Sequence, residues 1–305
     1  MSEPLILYVP GIKPKPPVAE QHAMLWRCLL EGVRRADAAV AQGLARSPEV
    51  FRLVSWAHVF YETQRDLALD LPGIERLLAL PGPTPEDIRD ATSWRRRLKR
   101  AVYLFCDRFP PLLELARDPT VRETLHDTWR YLRNQDGDAV RVRQIVADAL
   151  LDAWRDDRRV LLIGHSLGSV IAFDVLWELS HRFVVPGRLD LFVSIGSPLG
   201  LGFVRAHLLG AHERDARRFP TNIRRWRNLA AMGELIALDR SLARAWAPMR
   251  DLGLVEELSE RLDLQTYFRG QEGLNLHKCY GYMANPVLGA TVAGWWREQA
   301  GLAPA

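Results

Sequence analysis

The sequence predicts an α/β protein: one domain over residues 1–305, with a central, mostly parallel sheet flanked by helices and a helical, lid-like insertion over residues 62–138. Three observations carry this. Short apolar runs at residues 5–9 and 160–163 read as strands buried on both faces. Amphipathic or apolar stretches of helical length alternate with such runs, the rhythm of strand–helix–strand units. Third, residues 158–173 pass from a β-branched run through Gly164-His165-Ser166-Leu167-Gly168 into an apolar stretch broken only by Asp174 and Glu178. That is a strand, a sharp turn and a buried helix in immediate succession.

Taken in order, residues 5–9 form the first strand and Pro10-Gly11-Ile12-Lys13-Pro14 a loop too proline-rich for helix. A helix is predicted over 18–42, with Leu25, Cys28, Leu29, Val33 and Ala36 on its apolar side, and a second strand over 50–61. The alternation then breaks. Residues 62–138 hold far more chain than one helix and a turn require, with a Pro81-Gly82-Pro83-Thr84-Pro85 loop and a helix start at Thr84 or Pro85 followed by Glu86 and Asp87. This insertion is expected to pack over the catalytic edge of the sheet, as a lid or acyl-binding wall or as a structural decoration. An amphipathic helix over 138–154 follows, with Val142, Ile145, Val146, Ala149, Leu150 and Trp154 on one stripe. Beyond the helix over 170–179, strands are expected at 189–195 and 223–229, and a last segment, Leu274-Asn275-Leu276-His277, brings a strand to His277. A terminal helix is capped by Asn285, with Pro286 in its first turn.

Composition narrows the class. Hydrophobic residues at 48% and charged ones at 26% are ordinary globular values. Cys28, Cys106 and Cys279 are too few and too irregularly spaced for a disulfide framework or a metal cluster, and fit a reducing compartment. The N-terminus carries Glu3 where a secretory signal needs bases, and no apolar run is long enough to cross a bilayer, so a cytoplasmic chain is expected. The net charge is +4; the lysines are Lys13, Lys15, Lys99 and Lys278, and arginine supplies the other cations. The dense run Trp94-Arg95-Arg96-Arg97-Leu98-Lys99-Arg100 reads as a solvated helix face, or as a weak contact with an anionic membrane surface or acidic substrate, rather than as a nucleic-acid site.

The chemistry centres on Ser166. A bare Gly-x-Ser-x-Gly arises by chance about 0.05 times in a chain of this composition, so the strand before and the helix after give it its weight. Gly164 and Gly168 have a steric reason, because side chains two residues either side of the serine would collide with the turn. A serine hydroxyl needs a base, and the base an orienting carboxylate; in such a site the chain order is serine, acid, histidine. Of His181, His207, His212 and His277, the last alone lies between the final predicted strand and the final helix. Glu234, just past the 223–229 strand, is the expected acid, with Asp239 as runner-up. The amides of Leu167 and Ile12, the latter approached through Gly11, are the expected oxyanion donors. His165 and Ser197 are placed at the substrate pocket or in its supporting turns.

Gly164-His165-Ser166-Leu167-Gly168 resembles the lipase and esterase branch of the α/β-hydrolase superfamily. Asn228 to Ala237 is similar to that branch's strand leading to the acid, with Glu234 where aspartate is usual, and Pro10-Gly11 to its His-Gly oxyanion segment, with Pro10 replacing histidine. The resemblance implies an α/β-hydrolase fold and a serine hydrolase that cleaves a small or lipid-like carboxylic ester through an acyl-enzyme, with no metal or organic cofactor. Thioesterase, phospholipase or acyltransferase chemistry uses the same residues, and a non-catalytic binding protein on this fold is the rival from another class. The resemblance does not extend to residues 62–138.

Overall fold

The computed structural model describes residues 3–94, 119–134, 136–234, 242–299 and 301. Six strands form one sheet: β1 (Pro4–Val9), β2 (Phe51–Leu53), β3 (Arg159–His165), β4 (Leu189–Ile195), β5 (Ile223–Ala231) and β6 (Glu257–Leu264). Their order is β2-β1-β3-β4-β5-β6, and every adjacent pair is parallel. The helices include α1 (Val18–Ala36), α2 (Ala38–Ala45), α3 (Leu71–Ala79), α4 (Pro85–Ala91), α5 (Pro119–Arg133), α6 (Asp138–Arg155), α7 (Leu167–His181), α8 (Cys279–Met283) and α9 (Pro286–Gln299). This is an α/β architecture.

The strand period of two divides the core. Leu5, Leu7, Val9 and Leu162 point to one face and pack with Val142, Val146 and Leu150 of α6 and Val170, Phe173 and Leu176 of α7. Ile6, Tyr8, Leu161 and Ile163 point to the other, against Leu25, Leu29 and Val33 of α1 and Leu288, Val292 and Trp295 of α9. Because both faces are covered, β1 and the Val160–Ile163 part of β3 are continuous apolar runs, and β4 is broken only by the buried Asp190 and Ser194, which made them visible in the sequence. Two helix starts are as expected. Thr84 and Asp87 form a reciprocal capping box ahead of Pro85, and the Asn285 side chain accepts from the Val287 amide at 2.9 Å.

Three expectations need correction. The helix over 18–42 is two helices broken at Asp37, whose backbone is extended (φ −154°, ψ 98°). Its carboxylate accepts from the Val40 amide at 3.0 Å, so a short polar side chain caps α2 instead of continuing α1. The strand over 50–61 is only Phe51–Leu53; beyond it Trp56 turns inward, donates its indole N–H to the Pro10 carbonyl at 2.8 Å, and the chain coils into a short 3₁₀ turn at Ala57–Val59. Finally, Leu274 belongs to a two-residue antiparallel hairpin with Arg269 and Gly270, outside the main sheet. The last sheet strand is β6, whose half-exposed pattern of Glu257, Ser259, Glu260, Arg261 and Asp263 lacks the apolar signature of a buried strand.

Of the insertion, residues 62–94 pack on the hairpin side of the molecule. Asp87 in α4 receives Arg76 at 2.8 Å and Arg269 at 2.9 Å, and a side chain at Gly73 in α3 would strike the Arg269 carbonyl at 2.6 Å. Helix α5 lies instead against α7, where the Tyr131 hydroxyl donates to buried Asp174 at 2.9 Å. The basic run from Arg95 to Arg100, residues 101–118 of the insertion and, within them, Cys106 lie outside the described residues. Among the described residues no helix is long and apolar enough to cross a membrane.

Candidate active site

Ser166 sits in the turn from β3 into α7, with φ 52° and ψ −129°. That is a sparsely populated region for a residue with a Cβ, and holding it costs roughly 1–3 kcal/mol. The surroundings enforce it. The Ser166 amide donates to the Ile195 carbonyl at 3.0 Å, and its own carbonyl accepts from the Ser169 amide at 2.9 Å. The flanking glycines are needed for the predicted reason: a Cβ at Gly164 would lie 2.6 Å from the Ser169 Cα, and one at Gly168 2.3 Å from the Val9 carbonyl oxygen.

Two further loops at the C-terminal edge of the sheet reach this turn. The Ser166 hydroxyl lies 2.9 Å from His277 Nε2, and His277 Nδ1 meets the Glu234 carboxylate through Oε1. A carboxylate can only accept, so Nδ1 carries the proton and Nε2 is left to accept from the serine. The other carboxylate oxygen accepts from the Tyr282 hydroxyl and, at 3.3 Å, from the Ala231 amide; that amide also donates to the Tyr282 oxygen at 2.8 Å. Burial, reinforced by Glu234, raises the Tyr282 phenol well above its usual range, so it stays a donor. Glu234 is thus fully engaged while only 3% exposed. Ser166, His277 and Glu234 form a continuous hydrogen-bonded relay in the chain order serine, acid, histidine. Asp239, the runner-up acid, lies outside the described residues.

His165 braces this relay from below. Its Nε2 donates to the His277 carbonyl at 2.9 Å, and the two rings stand 4.8 Å apart. Burial, then the neighbouring His277 and Lys15, hold its pKa well below the usual histidine value, so it is a neutral strut. Gly196, at φ 53°, lies beneath the pair: a Cβ there would come within 2.9 Å of Glu234 Oε1 and 3.0 Å of His277 Nδ1. The Ser197 hydroxyl is occupied in its turn, 2.7 Å from the Ser169 hydroxyl and 3.2 Å from the Leu199 amide that donates to it. His181 and His207 serve elsewhere, bonded to the carbonyls of Phe219 and Phe203.

The loop after β1 lies directly on the serine, since a Cβ at Gly11 would sit 2.8 Å from the Ser166 Cβ and 3.2 Å from His165 Nδ1. Ile12 follows it and is buried. Leu167 is the first residue of α7, so its N–H has no carbonyl one turn earlier in the helix to meet. Where Pro10 departs from the histidine of the resembled segment, other groups hold the loop: the Trp56 indole on the Pro10 carbonyl, the Tyr61 hydroxyl accepting from the Lys13 amide at 2.9 Å, and the Lys15 ammonium on the Ile12 carbonyl. The sequence pattern assigns Tyr282, Trp56 and Lys15 no role at this site. Nothing in their spacing distinguishes them from core aromatics or a surface lysine; only the contacts do.

This arrangement can move a proton from the serine hydroxyl to His277 and hold the resulting imidazolium against a buried carboxylate. Among the described residues no group of three or more His, Cys, Asp or Glu is arranged to hold a metal ion. Compared with protein-family models, curated proteins and solved structures, the chain matches none.

Proposed function

We propose that the chain is a serine hydrolase of α/β-hydrolase fold that cleaves a carboxylic ester through an acyl-enzyme. The observation that carries this reading is the 2.9 Å approach of His277 Nε2 to the Ser166 hydroxyl, with Glu234 on the far side of the imidazole. The strained turn, which holds the serine at the open end of the sheet, supports it. Ser166 attacks the substrate carbonyl as His277 Nε2 takes its proton. Glu234 holds the Nδ1–H and stabilises the imidazolium without itself being protonated. The Leu167 and Ile12 amides face the developing oxyanion; losing one such donor costs about 10²–10³ in kcat. His277 then returns the proton to the leaving alcohol, and water repeats the sequence to release the acid.

The test is a fluorophosphonate probe, which reacts only with an activated serine, together with 4-nitrophenyl esters of graded chain length. Labelling of the wild type that vanishes in Ser166→Ala, with turnover of at least one ester, is expected. A folded wild-type protein that neither labels nor turns over any ester would falsify the hydrolase reading and favour a binding protein.

A further inference from the structure

An arginine-rich chain places three of its four lysines beside the proposed nucleophile. Lys13 and Lys15 lie in the loop whose Gly11 abuts Ser166, and Lys278 follows His277 directly. The contacts form one continuous rim. The Lys15 ammonium lies on the Ile12 carbonyl, and the Lys15 carbonyl accepts from the Arg65 amide at 3.0 Å. The Arg65 guanidinium reaches Asp70 at 3.1 Å, and Asp70 receives the Lys278 ammonium at 2.6 Å.

The rim is undercompensated. Among the described residues Asp70 pairs with Arg65 and Lys278, and the Lys278 ammonium also lies over the Phe268 and Tyr280 rings. Asp127 accepts from the Tyr61 hydroxyl at 2.6 Å, and Tyr61 in turn accepts from the Lys13 backbone, not from its side chain. Neither Lys13 nor Lys15 has an ion pair among the described residues. Burial lowers the Lys15 ammonium to about 8, with the charges of Lys278 and Lys13 adding to the fall and Cys279 and Asp70 opposing it, and the group its Nζ touches is a neutral carbonyl, that of Ile12. The loop is also stiff. Pro14, Pro16 and Pro17 interleave with the lysines, and Lys13 is held at φ 77°, a strained conformation for a residue with a side chain. A desolvated, preorganised ammonium at Lys15, with Lys13 in the same loop and Lys278 next to His277, is what an incoming anion satisfies. Lysine presents the compact point charge suited to a phosphate or carboxylate.

We propose that Lys15, Lys278 and Lys13 form an anion subsite next to Ser166, and that the ester or thioester cleaved there carries a phosphate or carboxylate. This deepens the hydrolase reading and rests on it for the word substrate, but not for the binding of the anion.

Two matched pairs of substrates separate the sources of charge. On the acyl side, the 4-nitrophenyl monoester of glutaric acid is compared with its neutral methyl ester. On the leaving-group side, S-acetyl-4′-phosphopantetheine is compared with S-acetylpantetheine. In at least one pair the charged member should have about tenfold the kcat/KM of the neutral one. That ratio should fall towards one in Lys15→Met and in Lys278→Met, and in 0.5 M salt. Lys13→Met, which disturbs no ion pair among the described residues, guards against loss of folding. Calorimetric binding of phenyl phosphate to the Ser166→Ala protein, weakened about tenfold in the double variants that add a lysine substitution, reads the subsite without turnover. Ratios of one or less in both pairs, or ratios and phosphate binding indifferent to all three lysines, overturn the subsite. Absent labelling and turnover with lysine-dependent phosphate binding intact would instead overturn only the hydrolase reading.

Discussion

The two halves of the serine–histidine–glutamate relay are held in different ways. The serine half is local: Gly164, Ser166 and Gly168 lie within five residues, and the strand before and helix after them fix the strained turn. The acid–base half is assembled from afar. Glu234 and His277 stand in loops after β5 and the hairpin, and their supports come from Tyr282 in α8, His165 in β3 and the early part of the insertion. Asp70 holds Lys278 beside His277, Asp87 holds Arg269 in the hairpin, and a Cβ at Gly233, at φ 82°, would sit 2.3 Å from the Ala91 carbonyl oxygen. The insertion, expected as a lid or acyl-binding wall or as a structural decoration, is in its described parts a brace. It clamps the acid and histidine loops through residues 62–94 and the back of α7 through the Tyr131–Asp174 bond. A nucleophile can be encoded by a short motif, whereas its proton relay depends on packing between distant segments.

The sharpest way to break this contrast is at the serine. Ser166→Ala should reduce ester turnover by 10⁴-fold or more while leaving the thermal midpoint unchanged or raised, since removing the hydroxyl touches no described structural bond other than that to His277. A stability loss with retained turnover would place the chemistry elsewhere. Glu234→Gln should cost about 10³-fold in kcat, because an amide can present its NH₂ to Nδ1 and favour the wrong tautomer. Asp239→Asn should cost less than threefold, and the reverse ranking would reassign the acid.

On the serine side, burial raises the Asp174 carboxyl to about 6 from 3.8. Between those values the folded protein binds more protons than the unfolded chain, so this group's contribution makes stability fall as pH rises, by about 3 kcal/mol across the window, and then level off. Urea unfolding of wild type and Asp174→Asn from pH 4 to 7 should therefore show the variant gaining on the wild type as pH rises. A difference independent of pH would mean that the carboxyl is not protonated in the folded state. A smaller effect than at Ser166 or Glu234 is expected at the remote brace. Tyr282→Phe removes the donor to Glu234 Oε2 but leaves the Ala231 amide, so kcat should fall about tenfold, with KM little changed and the pH–rate profile displaced. A change in KM alone would make Tyr282 a pocket residue rather than a positioning one.

Much of this was legible in the residues. The buried strands 5–9 and 160–163 and the elbow at 164–168 declare themselves, because parallel strands covered on both faces are near-continuous apolar runs and because steric crowding admits only glycine beside the turn. Glu234 and His277 followed from chain order. Strand β6 did not, because an exposed edge strand carries charges that read as loop. The early end of β2 was hidden because it goes with a tertiary contact, the Trp56 indole on the Pro10 carbonyl, and at Asp37 the local cap on the Val40 amide is joined by Arg297, which reaches the carboxylate at 2.6 Å.

The sequence by itself determined the α/β class, the position of the candidate nucleophile and its expected partners, since hydrophobic period and glycine sterics act over a few residues and leave a local record. Only the tertiary structure decided that Tyr282 and His165 hold the relay, that the insertion braces it, and that Lys13, Lys15 and Lys278 converge beside Ser166. Those facts depend on which distant segments share a loop cluster, and a hydrogen bond spanning more than a hundred residues of chain leaves no pattern in the order of the residues that make it.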